Sequence, residues 1–151
     1  MKDLNFKLHT NAQLPLERQA AINVMLCHAL VKDTLLSALK PYDLSIEQFN
    51  VLRILRGQKG KPLNLKDVQA RMVSKMSNVT RLIDKLILKN LVRRKQCPEN
   101  RRKIELYITQ EGLSQLKVLD AKIDDAEKKV VSNLNKAELK QLNNLLTKIV
   151  A

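Results

Sequence analysis

The feature that most constrains this chain is an apolar repeat of helical spacing that stops almost only at proline and glycine. The 151 residues contain three Gly and four Pro. All seven, Pro15, Pro41, Gly57, Gly60, Pro62, Pro98 and Gly112, are read as standing at breaks in the repeat, which is where residues that end or cap helices belong. A mainly α chain cut into segments at those points is expected. The length is that of one domain, and 44% apolar residues can bury one core. Two Cys exclude a disulfide scaffold, and the scarcity of Gly and Pro excludes a collagen-like or disordered chain. No run reaches the roughly 18 uninterrupted apolar residues of a membrane span, and the N-terminus lacks a signal-peptide pattern. A cytoplasmic protein is expected.

The first helix is expected from Pro15 to just before Pro41. Its apolar residues, among them Leu16, Val24, Met25, Leu30 and Leu36, cover more than one stripe. Such a helix should be buried on two sides, one facing its own domain and one a second subunit. Ser45 with Gln48 reads as a capping box ahead of a second helix bearing Phe49, Leu52 and Leu55. Asn64 with Asp67 opens a short third helix ending near Met72. Ser74 is placed as the cap of a fourth helix running to about Asn90. Val79, Leu82, Ile83 and Leu86 form its apolar face, and Ser77, Asn78, Thr80, Arg81, Asp84 and Lys85 its polar one.

Beyond Asn90 the period shortens. Residues 91–97 and 103–109 read as a two-stranded ribbon, linked by 98–102 with Arg101 and Arg102 at the tip. Thr109 then caps a fifth helix, and Asn135 with Glu138 a sixth. Both carry Leu and Ile three and four residues apart, a helix-pairing pattern satisfied either within one chain or between two.

The charge is unevenly placed. The chain holds 28 Lys and Arg against 15 Asp and Glu, a net charge of +13. Residues 51–107 hold sixteen of the basic and four of the acidic side chains, so nearly all the excess lies in this block, between two almost neutral segments. A basic block on a folded protein points to a polyanion, because each cation set against a phosphate releases condensed counterions. A solvated surface that serves solubility is the other reading. Four aromatic residues and no Trp argue against a platform for stacked single-stranded bases.

Helix, helix, short loop, polar-faced helix and basic-tipped ribbon, in that order, make a winged helix-turn-helix. Over roughly residues 15–150 the chain also resembles the multiple antibiotic resistance regulator (MarR) family. The matching stretches are Leu44-Ser45-x-x-Gln48-Phe49-x-Val51-Leu52, then Ser77 through Leu86, then Leu91-Val92-x-Arg94. The last is Arg101-Arg102-x-x-x-Leu106-x-Ile108-Thr109-x-x-Gly112. The resemblance implies one domain over 1–151, with a DNA-binding lobe at 45–109 and dimerisation helices at 14–40 and 110–151. It also implies an intertwined homodimer on a near-palindromic double-stranded operator. Such a protein is usually a repressor released by a small aromatic or phenolic effector, or by an oxidant.

Geometry then assigns roles. A major groove about 12 Å wide admits one helix, and its first turns face the bases. Ser77, Asn78, Thr80 and Arg81 are the expected base readers, Arg81 forking onto guanine and Asn78 onto adenine. A helix surface touching only phosphate is the simpler alternative for Asn78 and Thr80. Arg53, Arg56, Arg71, Lys75 and Lys85 are expected on phosphates. The resemblance places Arg101 or Arg102 in the adjacent minor groove. The family usually has Asp where this chain has Asn100, and Asn lacks the charge-assisted grip on a neighbouring Arg. A looser, more positive tip is expected, so Asn100→Asp should change operator affinity and its salt dependence; no change in either contradicts this.

The resemblance puts an effector pocket between the dimer base and the reading lobe, with Met25, His28 and Phe49 as candidate lining residues; packed core explains them equally well. His9, His28, Cys27 and Cys97 show no zinc-ligand spacing. No phosphate-binding glycine loop or nucleophile setting occurs, so neither a cofactor nor an enzyme is expected. Cys27 reads as a buried, inert thiol. Two alternatives stand beside the effector-released repressor: a redox-responsive regulator acting through Cys27, and a non-specific nucleic-acid-binding protein.

Overall fold

The computed structural model describes residues 14–73, 78–97 and 100–151, those at 100–102 by backbone alone. Among these residues the chain forms six α-helices and one antiparallel two-stranded sheet. The helices are α1 (Leu16–Leu39), α2 (Ile46–Arg56), α3 (Leu65–Arg71), α4 (Val79–Leu88), α5 (Gln110–Val130) and α6 (Lys136–Val150), and the strands are β1 (Val92–Cys97) and β2 (Asn100–Ile108). A 3-10 turn, Lys40–Tyr42, follows α1. This is the winged-helix arrangement read from the sequence. The described residues fall into two compact units: those within 36–126 form one, and those at 14–35 and 127–151 form the other.

Local side-chain chemistry starts most of the helices. The backbone N–H of Gln48 donates to Ser45 Oγ at 3.2 Å, and Ser45 N–H donates to Gln48 Oε1 at 3.0 Å. Asn64 with Asp67 and Asn135 with Glu138 close the same reciprocal box. Thr109 Oγ1 accepts from Gly112 N–H at 2.9 Å and donates to the Asn90 carbonyl at 2.7 Å. It thereby caps α5 and ties that cap to the end of α4. Asn90 itself adopts φ 57, the left-handed position that commonly ends a helix and that Asn tolerates.

The core of the 36–126 unit gathers Leu39, Val51, Leu52, Leu55, Val68, Leu86, Val92, Leu116 and Leu119, all with under 2% exposure. Leu63 and Leu106 exchange backbone hydrogen bonds of 3.2 and 2.8 Å, which adds a one-residue third strand to the wing. Gly112, in the first turn of α5 rather than at a break, is required by close approach. A Cβ there would stand 2.4 Å from the Leu91 carbonyl oxygen and 2.8 Å from Ile108. Because the Leu91 backbone is held by the wing, Gly112→Ala should cost about 2–3 kcal/mol. Thermal unfolding should then shift down by roughly 5–10 °C; an unchanged midpoint would show that the approach is looser than described.

Two boundaries and the burial of one helix differ from the sequence expectation. Ser74, placed as the cap of α4, lies outside the described residues, and α4 begins at Val79 with Asn78 as its N-cap. Strand β2 begins at Asn100 rather than 103, because the ladder shifts register after Gln96 and Cys97 pairs with Asn100. Such a shift erases the alternation by which a strand is read. The third concerns α1, expected to be covered on two sides. Only Leu39 of its residues is buried within the chain; Leu16, Met25 and Leu30 are 78%, 71% and 54% exposed. Contrary to the expectation, Leu16–Tyr42 is long and apolar enough to cross a membrane by length and composition. The uncharged stretch between Arg18 and Lys32 is, however, only residues 19–31. That is about 20 Å of helix against a hydrocarbon layer of about 30 Å.

Candidate nucleic-acid interface

Helix α4 turns one face inward and one outward. Val79, Ile83 and Leu86 are buried, with Leu82 half-buried beside them. On the other side Thr80, Arg81 and Lys85 are exposed, and so is Asn78 just ahead of them. Asn78 sits at φ −123, ψ 38 and its side chain makes no capping hydrogen bond. Toward the described residues its amide thus keeps both donors and an acceptor open. The sequence reading put Asn78 inside the helix; as the N-cap it instead stands at the leading end, closest to whatever the helix enters. Ser77 and Lys75 lie outside the described residues.

The other cations divide. Arg53 and Arg71 are exposed, Arg53 lying over the Phe49 ring at 5.6 Å from its centroid. Arg56 is engaged elsewhere. Its two terminal nitrogens donate separately to the two carboxylate oxygens of Asp120 on α5, one of the bonds measuring 3.2 Å. Lys89, at the end of α4, bonds both the carboxylate and the carbonyl of Asp43. The hydrogen bond and charge of Lys89 hold the Asp43 carboxyl below its usual range.

The wing is attached to α4 by an ion pair between Arg94 of β1 and Asp84. Sequence reasoning counted Asp84 merely as part of a polar face; the partner lies ten residues away across the helix-to-strand turn. The opposite face of the wing has its own network. Arg93 lies 5.0 Å from the Tyr107 ring centroid, and the Tyr107 hydroxyl donates to Glu105 at 2.8 Å. That hydrogen bond to a carboxylate, followed by burial, raises the Tyr107 phenol above its ordinary value of 10.0. The fold thus favours the neutral phenol, a contribution present below pH 10 and lost as pH rises through the folded value. Glu105→Gln should bring the Tyr107 titration, followed by ultraviolet difference absorbance, down toward 10.0; an unmoved titration contradicts the assignment. Asn100, Arg101 and Arg102 lie where β2 begins, at the turn end of the ribbon.

The residues suggested for an effector pocket fall differently. Met25 and His28 are exposed on α1, whereas Phe49 is a core residue at 4% exposure. A ligand would reach Phe49 only by displacing core packing. Cys27, expected to be buried, is exposed, because α1 has little cover within its own chain; Cys97 is half-buried. The grooves beside α3 and α4 are lined by other residues. Asn64, Leu65, Lys66, Lys103 and Ile104 line an open one of about 450 Å³ between α3 and the wing. A cavity of about 70 Å³ lies under Thr80, Asp84 and Arg94.

Comparison with known proteins agrees with this geometry. The MarR family's sequence profile matches residues 44–104, the span from just before α2 into β2. The HTH-type transcriptional regulator MgrA of Staphylococcus aureus is 27% identical over 113 residues, which cover 74% of this chain and 73% of MgrA. A solved Escherichia coli MarR mutant complexed with operator DNA superposes with a TM-score of 0.78 at 22% identity, covering 99% of this chain and 100% of that one. Bordetella bronchiseptica BpsR, solved in a study of how 6-hydroxynicotinic acid regulates its DNA binding, gives 0.80 at 21% identity, covering 92% and 98%.

Proposed function

We propose that this chain, whose residues 44–104 match the MarR family model, is a DNA-binding transcriptional regulator of that family and works as a homodimeric repressor of a near-palindromic operator. The observation that carries the reading is the leading end of α4. Asn78, Thr80 and Arg81 are held out to solvent by a helix whose other face is locked into the core. Arg81 suits bidentate contact with a guanine edge and Asn78 with an adenine edge. Arg53, Arg71 and Lys85 suit phosphates on either side, with Lys75 in the same role by its place in the sequence and Ser77 among the base readers. The wing, braced by Arg94 and Asp84, would carry Arg101 and Arg102 toward the neighbouring minor groove.

A second copy accounts for the apolar surface left open on α1 and α6. Leu16, Met25, Leu30, Leu145, Ile149 and Val150 are all more than half exposed. Soluble monomers rarely leave so much apolar surface on helices that lie outside the core. Covering it with a symmetry-related copy would place two α4 helices about one turn of DNA apart, roughly 34–36 Å. It would also cover α1 without a membrane. Release by a small aromatic or phenolic acid follows if that ligand binds a dimer arrangement in which the two α4 helices no longer match successive grooves. The regulation of BpsR by 6-hydroxynicotinic acid supports this part of the reading.

The test is selection of binding sites from random duplexes by the purified protein. The expected product is an inverted repeat with half-site centres about 10–10.5 base pairs apart. It should outcompete bulk duplex by on the order of a thousandfold. Recovery of no motif would leave the non-specific nucleic-acid reading in its place.

A further inference from the structure

We propose that the groove between α3 and the wing is a further contact with DNA. It takes the sugar–phosphate strand that borders the major groove entered by α4, with Lys66 and Lys103 on its phosphates and Leu65 and Ile104 against its deoxyribose. The inference rests on the DNA-binding, dimeric reading above. Asn64, Leu65 and Lys66, at the start of α3, and Lys103 and Ile104 of β2 line this open groove of about 450 Å³. Both lysines are exposed, and among the described residues neither has an ion-pair partner. The carboxylates within two residues of them are occupied. Asp67 accepts from the Asn64 backbone N–H at 3.5 Å, and Glu105 from the Tyr107 hydroxyl at 2.8 Å. Two like charges on one groove repel each other, and an anion placed with them removes that cost. Asn64 Oδ1 accepts from the Asp67 N–H at 2.9 Å, which leaves the Asn64 amide N–H groups as donors alongside.

The rest of the lining is apolar: Leu65 is half-buried and Ile104 is 45% exposed. A nucleic-acid strand alternates anionic phosphate with apolar sugar carbon, and a groove combining lysine with aliphatic carbon fits that alternation. Position supplies the DNA. Leu65 and Ile104 also line the smaller cavity under Thr80, Asp84 and Arg94, so the groove continues to the leading end of α4. A helix seated in a major groove about 12 Å wide has a phosphate strand along each side. The strand on the α3 and wing side of α4 would pass through this groove. A small ligand is a poorer fit, because its site buries about 70–90% of its surface and this groove is open. Neither lysine stands out in the sequence, where they lie far apart; the Leu63–Leu106 bridge brings their elements together.

The experiment uses the full chain and the selected operator. Fluorescence anisotropy from about 50 to 200 mM salt gives affinity and salt slope, and ethylation interference, in which ethylnitrosourea neutralises single phosphates, locates the contacts. The proteins are wild type, Lys66→Gln, Lys103→Gln and the double variant. Lys117→Gln removes the same charge from an exposed position on α5, and thermal melting checks each protein. A lysine set on a phosphate adds about 0.9 to the slope of log affinity against log salt, and a dimer sets it twice. Each single variant should therefore lose about 2 from the slope and the double about 4. Raising salt over that range should cost wild type on the order of 100-fold more affinity than it costs the double variant. Preference among base pairs should not change. A phosphate beside each half-site whose ethylation weakens wild type should cease to matter in the double variant.

An unchanged slope in the double variant overturns the proposal. If benzoate titrated into the free protein then binds wild type and not that variant, the groove belongs to a small aromatic acid instead. A slope lowered as much by Lys117→Gln as by Lys66→Gln also overturns it, since the effect would be one of net charge. Wild-type protein that binds no selected duplex refutes the operator reading itself, a failure visible before any variant is made.

Discussion

Leu142→Asp together with Leu146→Asp should turn the protein into monomers and reduce operator affinity by about 10²- to 10⁴-fold. Both leucines lie on α6 and are 37% and 39% exposed in the single chain. No α6 residue is buried, so the substitutions remove nothing from the lobe's core, and the lobe should stay folded with its melting transition intact. In the homodimer both positions would be covered. An uncompensated carboxylate in an apolar contact costs several kcal/mol, and a symmetric interface meets each one twice. Losing the partner also turns two linked half-site contacts into one, and linkage of this kind is worth about 10²- to 10⁴-fold. Sedimentation equilibrium at micromolar concentration and anisotropy with the selected operator read the two effects. A double variant that remains dimeric would show that α6 is not part of the interface.

Arg81→Ala is expected to have the next largest effect, of a different kind. A bidentate contact between Arg and guanine is worth about 1–3 kcal/mol of discrimination. On a symmetric operator two copies are lost, giving about 2–6 kcal/mol if the sites act independently, or roughly 30-fold to 10⁴-fold in affinity. The loss should be selective. Substituting the base pair that Arg81 reads should cost wild type heavily and the variant almost nothing, while the salt slope stays close to wild type. Lys85→Ala provides the contrast: a uniform weakening across sequences with a slope reduced by about 1 per subunit. An Arg81→Ala protein that keeps full preference at every operator position would remove Arg81 from the base-reading set.

What the sequence disclosed was mostly local chemistry. Ser45 with Gln48, Asn64 with Asp67, and Asn135 with Glu138 bond within three residues of one another, so their spacing alone identifies the helix starts. The inward face of α4 was likewise visible as a three- and four-residue repeat. The start of α4 was not. Ser74 is as good a cap by residue type as Asn78, and residue type cannot choose between two candidates four positions apart. Contacts across the fold were beyond reach too. Arg56 looks like any basic residue at a helix end until Asp120, 64 positions later, is placed beside it. Gly112 falls within a helix for a reason held by the Leu91 carbonyl on another element. The exposure of Cys27 and Met25 reflects how little of α1 its own chain covers, which an apolar helix does not reveal about itself.

The central claim is that two copies of α4 enter successive major grooves on one face of the DNA while the wings lie in the flanking minor grooves. Methylation interference on the selected operator tests it most directly, because dimethyl sulfate marks guanine N7 in the major groove and adenine N3 in the minor groove. Two symmetry-related patches of guanine N7 interference are expected about one helical turn apart, roughly 10 base pairs, with adenine N3 interference outside each of them. A single patch, or interference confined to the minor groove, would contradict it.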